Sequence, residues 1–201
     1  MRSGRLALGA VLALAVAVAL VALPAAASAA DRLAGARQVL ALTQQRLSFM
    51  ESVAASKWLS RTPIQDTAQE ATVLQTARDA ATASELQPAS VANLFGVEIT
   101  AAKVVQLGWG QEWLLNGFPA DQPAPDLTAI RPQIAALTPA IVDALARTTA
   151  VHCVRDARAR LLHDATRTIT VAQVTPAVRV AVVDAILRVR GAGRDAPCGG
   201  V

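Results

Sequence analysis

Apolar residues recur along most of this chain at steps of three, four and seven, a spacing that places them on one face of an α-helix. In the first such stretch, Leu33, Leu40, Leu47 and Ala54 follow this spacing. Alanine is very frequent, tyrosine is absent, and no run alternates apolar and polar residues as a strand would. We therefore expect an all-α fold, a single helical domain of about six helices with a long N-terminal helix.

Prolines and capping residues divide this pattern into separate helices. The first helix is expected to end before Pro63, since the residue preceding a proline avoids helical geometry, and Asp66 is placed to cap the second. Pro139 is expected to kink or divide the fourth. The expected helices cover residues 31–59, 67–84, 88–113, 126 onward, 154–167 and 176 to about 191.

The first 29 residues have the layout of a cleaved secretory signal. Two arginines precede an apolar run from Leu6 to Leu23, and an Ala-Ser-Ala site that suits a signal peptidase follows it. The run is long enough to raise the alternative of a membrane anchor, but the small-residue site directly after it favours cleavage. We therefore expect residues 1–29 to be a signal peptide, residues 30–201 to form one domain, and the protein to be exported, either to a periplasm or out of the cell.

Charge and cysteine content narrow the classes of partner. The formal net charge of +4 falls to +2 without Arg2 and Arg5, and the remaining basic residues form no cluster, so we expect no nucleic-acid partner. After signal cleavage we expect no membrane association. In an exported chain, Cys153 and Cys198 are expected to form a disulfide. With two histidines in the whole chain, no metal site is expected.

Two cations lie where the first helix calls for apolar side chains. Arg46 and Lys57 are eleven residues apart, which places them about three turns apart and only about 20° around the helix axis. Removing unpaired cations from water is costly, so they either extend to solvent or meet an anion. Gln106 lies on the apolar face of the third helix, where a satisfied core amide is the simpler interpretation. Together with Arg131, these residues suggest a pocket between helices for a small dianion.

The order and spacing of these residues resemble the secreted gamma subclass of the helical chorismate mutases. No single motif is specific, but their order, their spacing and the export signal together are. The matching stretches are Arg46-x10-Lys57-Trp58, Pro63-Ile64-Gln65-Asp66, Glu70 with Val73-Leu74, Gln106, Asp126-Leu127-Thr128-x2-Arg131, and Cys153 with Cys198.

The resemblance implies an isomerase that rearranges chorismate to prephenate in one step and without a cofactor. Negative charge grows on the ether oxygen as its C–O bond opens, and preorganised donors stabilise such charge. Lys57 and Gln106 would donate to this oxygen as catalytic residues. Because Gln106 is an amide where some relatives carry glutamate, we expect little loss of activity between about pH 5 and pH 8. Relatives of this type are commonly dimers, so the resemblance also implies a homodimer.

The resemblance also implies how chorismate is bound. Arg46 and Arg131 would pair with its two carboxylates, since planar guanidinium groups suit them. Asp66 and Glu70 would bind the ring hydroxyl, Asp66 through its backbone amide. Gln69 is expected at the binding site, where the family carries arginine, so one cation of the family pattern is missing.

Two further positions depart from the family pattern, and two other interpretations stay open. Ala102 stands where a small hydroxyl residue is usual, and Val73 where some members have glutamine. A non-catalytic helical module that binds a small dicarboxylate would explain the same cations, with Gln69 as a sign of decay. A structural bundle of the cell envelope is the third possibility, and it leaves the placement of Arg46 and Lys57 unexplained.

Overall fold

Helices make up nearly all the regular structure in the computed structural model, which describes residues 27–193 and Cys198. Within that range there is no β-strand, and the prediction of an all-α fold is confirmed. A 3-10 turn at Val151–Cys153 precedes α6. The α-helices of the described range are α1 (Ala29–Ser48), α2 (Met50–Ser60), α3 (Thr67–Ala83), α4 (Pro88–Asn116), α5 (Leu127–Ala146), α6 (Ala157–Thr168) and α7 (Pro176–Leu187).

The expected signal segment falls mostly on residues 1–26, which lie outside the described residues, so the signal peptide stays a prediction. At the start of the described range, the Ser28 hydroxyl accepts a hydrogen bond from the Asp31 amide at 3.1 Å, and the Asp31 carboxylate accepts one from the Ser28 amide. This reciprocal cap satisfies amides that the first turn of α1 would leave unpaired. Between residues 27 and 193, no helix has both the length and the apolar character needed to cross a bilayer.

Some helix boundaries differ from those expected. The long first helix is divided at Phe49 into α1 and α2, which follow each other directly. Of the two outcomes expected at Pro139, a kink or a division, the division is wrong, because α5 runs through this proline. Pro139 is exposed, while Leu137 and Ile141 on the opposite face are buried, so packing holds both parts of the helix against one core despite the lost hydrogen bond. Asp156 adopts a left-handed conformation, with φ of 56°, and delays the start of α6.

The apolar core lies around α1, which packs against α5 on one side and α6 on another. α1 and α5 approach closely at Gly35, where an added Cβ would lie 3.0 Å from the Arg147 Cβ and 3.1 Å from the Ala144 carbonyl oxygen. A larger residue there would push the two helices apart. The largest fully buried apolar side chains are Phe95, Leu40, Leu47, Leu86, Leu94, Ile141, Leu145, Leu161, Ile169 and Ile186.

The C-terminal region is fastened to the bundle by the predicted disulfide. Cys153, in the 3-10 turn, is bonded to Cys198, with the two Cα atoms 5.3 Å apart. The bridge spans a sequence separation of 45 residues. It ties the end of the chain to the segment between α5 and α6, so the disulfide expected from the sequence is confirmed.

Candidate active site

A cavity of about 130 Å³ lies where α1, α2, α3, α4 and α5 meet. Most of its wall is apolar, supplied by Met50, Val53, Ile64, Val73, Ile99, Ala102, Leu127 and Ile134. All seven polar residues expected at a binding site line it, although they come from five separate helices and the segment before α3. These residues are Arg46, Lys57, Asp66, Gln69, Glu70, Gln106 and Arg131.

Arg46 enters the cavity wall from the last turn of α1 and is only 5% exposed. Its Nε lies 3.4 Å from Oε2 of the wholly buried Glu98, and its guanidinium lies over the Phe95 ring at 5.9 Å. Within the described part of the chain, Nε and Nη1 of Arg46 have no hydrogen-bond partner. A buried donor without a partner is unfavourable, so Arg46, although its charge is paired with Glu98, keeps N–H donors in the cavity wall without hydrogen-bond partners among the residues described.

Glu98 is the counter-charge behind Arg46 and reaches it from α4. Its other carboxylate oxygen accepts a hydrogen bond from the Thr43 hydroxyl at 2.8 Å. Burial raises the pKa of the Glu98 carboxyl above its usual value, while Arg46 and the Thr43 bond act in the opposite direction. Desolvation is the largest of these influences, because Glu98 is wholly buried behind Arg46.

Lys57 approaches the same cavity from the last turn of α2 and is 8% exposed. Its ammonium donates to the Ile64 carbonyl oxygen at 2.6 Å. An ammonium has three N–H donors, so two remain after this bond. Burial lowers the pKa of Lys57, the charge of Asp66 raises it, and Arg131 lowers it. The Ile64 bond thus fixes the side chain at the cavity with donors to spare.

Gln106 lies on the α4 wall and is 5% exposed. Its side-chain NH₂ donates to the Ala102 carbonyl oxygen at 3.2 Å and lies 3.6 Å from the Met50 sulfur. Its carbonyl oxygen has no partner among the described residues. A thioether sulfur is a weak acceptor, so an anionic oxygen in the cavity would readily replace it. Gln106 is therefore not the fully satisfied core amide that the simpler interpretation required.

Two ion pairs form the mouth of the cavity. Arg131, at the start of α5 and with a 49% exposed side chain, donates through Nη2 to Asp66 Oδ2 at 3.1 Å. The Lys103 ammonium lies 3.1 and 3.0 Å from the two carboxylate oxygens of Glu70. Asp66 also caps α3, as predicted, by accepting from the Gln69 amide at 3.1 Å. Its own amide donates to Glu70 at 3.4 Å.

Lys103 and Glu98 are the two charged residues of this region that the sequence analysis missed. Glu98 lies three residues after the buried Phe95 and four before Ala102, so a carboxylate interrupts the apolar stripe of α4. Lys103 lies three residues before Gln106, on the neighbouring turn of the same helix face. In both cases the sequence could have shown the residue, because a charged side chain lies on or next to the apolar face of the helix.

The described residues offer one group of possible metal ligands, and it lies outside the cavity. His152 lies within 4.8 Å of the sulfur atoms of Cys153 and Cys198. Thiolates bind zinc, but these two sulfurs are joined in a disulfide. The group therefore belongs to the disulfide that ties the C-terminal region to the bundle.

Comparisons with known proteins agree with the all-α fold. Residues 36–107 match the family model described as chorismate mutase type II. The crystal structure of chorismate mutase from Burkholderia thailandensis superposes with a TM-score of 0.64 and 32% sequence identity, covering 77% of this chain and 95% of that chain. The chain belongs to the chorismate mutase family. All the cavity residues from Arg46 to Gln106 lie within the stretch matched to the family model.

Relatives in this chorismate mutase family include proteins named as secreted. A secreted chorismate mutase from Yersinia pestis is 34% identical over 109 residues, which cover 54% of this chain and 58% of that relative. The crystal structure of the secreted chorismate mutase from Yersinia pestis superposes with a TM-score of 0.68 at 26% identity, covering 77% of this chain and 97% of that chain. The sequence match thus spans less than two thirds of the curated relative, whereas the structural match spans nearly all of the solved chain.

Proposed function

We propose that this protein is an exported chorismate mutase, which catalyses the Claisen rearrangement of chorismate to prephenate. The observation that carries the proposal is the convergence of Arg46, Lys57 and Arg131 on one cavity with otherwise mostly apolar walls. Chorismate carries two carboxylates on a compact apolar framework, so its charge and shape match that lining. Family membership supports the same reaction.

The reaction is unimolecular, so the protein needs neither a nucleophile nor a cofactor for it. The cavity has two tasks: to hold the compact reactive conformer and to stabilise the charge that develops on the ether oxygen. Lys57 would direct one of its two unused N–H groups at this oxygen. Gln106, approaching from α4, would donate its amide N–H in place of the Met50 contact. A buried site strengthens both interactions, because its effective dielectric is below that of water.

The substrate carboxylates would be bound at two places. Arg46 would pair with one of them inside the cavity, where its unsatisfied Nε and Nη1 gain a partner. Arg131 would bind the other carboxylate at the mouth. It would either keep its ion pair with Asp66 at the same time or give up that ion pair for the substrate. The ring hydroxyl would bind at Glu70 or displace it from the Asp66 amide. Each exchange replaces one hydrogen bond by another, so binding leaves few polar groups unpaired.

Loss of chorismate absorbance, together with prephenate formation, tests this proposal directly on the purified protein. Turnover by the wild-type protein and not by Lys57→Ala is the expected result. Tight binding of a bicyclic dicarboxylate that mimics the transition state, without turnover, would instead identify a non-catalytic binding module. If neither turnover nor binding is found, the protein is a structural bundle and the cavity assignment fails.

Export and dimerisation complete the proposal. We infer that residues 1–29 direct export, supported by their signal-like sequence and by relatives named as secreted. We also propose a homodimer, supported by Leu107, Leu114 and Leu115, which are strongly exposed on α4 and would be covered by a second copy. N-terminal sequencing of the exported protein and sedimentation equilibrium measure these two features.

A further inference from the structure

Lys103 is a fourth cation of the cavity, in addition to Arg46, Lys57 and Arg131. It lies on the α4 wall, and its side chain is 29% exposed. Its ammonium is held almost symmetrically by Glu70, at 3.1 and 3.0 Å from the two oxygens. Since an ammonium has three N–H donors, one remains free for a further acceptor while both bonds to Glu70 are kept.

The charges that surround the cavity show why this cation matters. Three cation–carboxylate pairs have formed, Arg46 with Glu98, Lys103 with Glu70, and Arg131 with Asp66. Lys57 has no carboxylate within ion-pair distance in the described range and donates to a backbone carbonyl instead. With every group charged, the set therefore carries one net positive charge. Without Lys103 it would be neutral and would offer little net attraction to a doubly negative guest.

The neighbouring residues on α3 offer no replacement. Gln69 lines the cavity immediately before Glu70 and carries a neutral amide. The mouth of the cavity therefore has Arg131 on the α5 side and, on the α3 side, only the ammonium that Lys103 extends across from α4. A carboxylate held by Arg131 at the mouth would meet no cation from α3 on the opposite side of the lining, and Lys103 is the cation of α4 that faces it there.

We propose that Lys103 binds a carboxylate of the substrate, with Glu70 orienting its ammonium, so that α4 supplies the cation that α3 lacks. This inference rests on the proposed function, because it names a further substrate-binding residue for the same reaction. Lys103 contacts the substrate before and during the reaction alike, so its contribution is to binding. Its removal is expected to raise KM more than it lowers kcat.

Steady-state kinetics with chorismate test the proposal in three variants. Lys103→Gln is expected to raise KM about 10- to 100-fold, the effect of losing one hydrogen bond between charged groups. Lys103→Arg keeps the charge and is expected to stay within about threefold of the wild type. Arg78→Gln removes a positive charge from an exposed position on α3 outside the cavity, and it is expected to leave KM unchanged.

A second-site variant distinguishes substrate binding from an indirect effect on the fold. Gln69→Arg, added to Lys103→Gln, places a cation beside the same opening and is expected to recover most of the lost affinity. The rise of KM with ionic strength is expected to be shallower in Lys103→Gln than in the wild type or Lys103→Arg. An indirect structural role would show neither the rescue nor the altered salt dependence.

The proposal fails if Lys103→Gln keeps KM within twofold of the wild type, or if it lowers kcat alone. If the wild-type protein does not turn over chorismate, the proposed function fails separately. Calorimetric binding of the bicyclic dicarboxylate mimic to the same variants then decides the role of Lys103. An affinity that falls in Lys103→Gln and is kept in Lys103→Arg supports the assignment, and equal affinities in all variants overturn it.

Discussion

The same pair of chemical groups occurs in two opposite settings in this molecule. Arg158 and Asp184 join α6 to α7 at the surface, with Nε and Nη2 of the arginine donating at 2.7 and 3.3 Å to the two carboxylate oxygens. Arg46 and Glu98 face each other inside the bundle at 3.4 Å, and their facing atoms have no hydrogen-bond partner in the described range. The exposed pair is fully bonded, and the buried pair is not.

The difference shows which part of the molecule has hydrogen-bonding groups that are still available to a ligand. Exposed ion pairs contribute little to stability because water and salt compete with them. A buried pair loses hydration without full compensation when its geometry is imperfect. Arg46 therefore destabilises the free protein to some extent and gains most when an anion arrives. The cavity region is organised for binding, whereas the C-terminal region of α6, α7 and the disulfide is organised for stability.

The largest expected effect is a loss of activity without a loss of stability, caused by a substitution in the cavity region. Lys57→Ala removes the proposed donor to the ether oxygen and is expected to lower kcat at least about 100- to 1000-fold, as loss of one such donor does elsewhere. The thermal unfolding midpoint is expected to stay near that of the wild type or to rise, because a buried cation is lost along with its cost of desolvation. Steady-state kinetics and calorimetry measure the two quantities.

Arg158→Ala is the matched control in the other region. It removes a cation of the exposed pair, which is not part of the cavity lining, and is expected to leave kcat and KM unchanged. A Lys57→Ala protein that keeps its fold and retains more than a tenth of the wild-type kcat would remove Lys57 from the proposed mechanism.

In the C-terminal region we expect the opposite result, a loss of stability without a loss of activity. Replacing both Cys153 and Cys198 by serine opens a loop with a sequence separation of 45. The free energy of unfolding is expected to fall by about 2–4 kcal/mol, since a loop of this length no longer restricts the unfolded chain. Denaturant titration measures the loss. At a temperature where the variant is folded, kcat is expected to match the wild type, and a kcat below half that value would show that the two regions are coupled.

Much of the fold could be predicted because local signals and packing agree. The periodicity of apolar residues placed the helices, and Asp66 was correctly predicted as a cap. Pro139 does not divide α5, because the cost of a proline in a helix is local, whereas the buried face of α5 is held by the whole core. The division at Phe49 has no proline or glycine beside it in the sequence, so local signals gave no warning.

The candidate site was predictable in part for a related reason. Arg46 and Lys57 were detectable because they interrupt the apolar face of the stretch predicted as one helix, which the structure divides into α1 and α2. The resemblance added residues from other helices. Pairings between helices were not detectable, because they depend on how α1, α3 and α4 come together. Lys103 with Glu70, and Glu98 with Arg46, are contacts of this kind. A charge on an apolar stripe indicates that a partner exists, and only the packing identifies it.

The pH dependence of catalysis sharpens the assignment of Lys57. Burial lowers the pKa of Lys57 from its ordinary value of 10.5, so the free enzyme loses this donor as the pH rises toward that value. A bound dianion favours the protonated ammonium and raises the same pKa in the complex. We therefore expect kcat/KM to fall on the alkaline side at a lower pH than kcat does, since the two report free and bound enzyme respectively. Coincident alkaline limbs would contradict this assignment.

The smallest expected effect is on the pH dependence of stability, which has opposite signs for the carboxylates of the two ion pairs. The pKa of Glu98 is raised by burial, so its contribution to stability is present at acid pH and is lost as the pH rises through the raised pKa. The pKa of Asp184 is lowered, mainly by its hydrogen bond from Arg158. Its contribution is present above its ordinary value of 3.8 and is lost as the pH falls through the lowered pKa.

Denaturant titration of Glu98→Gln and Asp184→Asn at several pH values tests this contrast. Relative to Glu98→Gln, the wild type is expected to lose stability as the pH increases from 4 toward 8. Relative to Asp184→Asn, it is expected to lose stability as the pH decreases below about 4, where the carboxylate takes up a proton. Slopes of the same sign in both comparisons would show that the buried pair is as well satisfied as the exposed one. In that case Arg46 would have no N–H donors available for an anion. The contrast between the two regions would then no longer explain how the cavity attracts an anion.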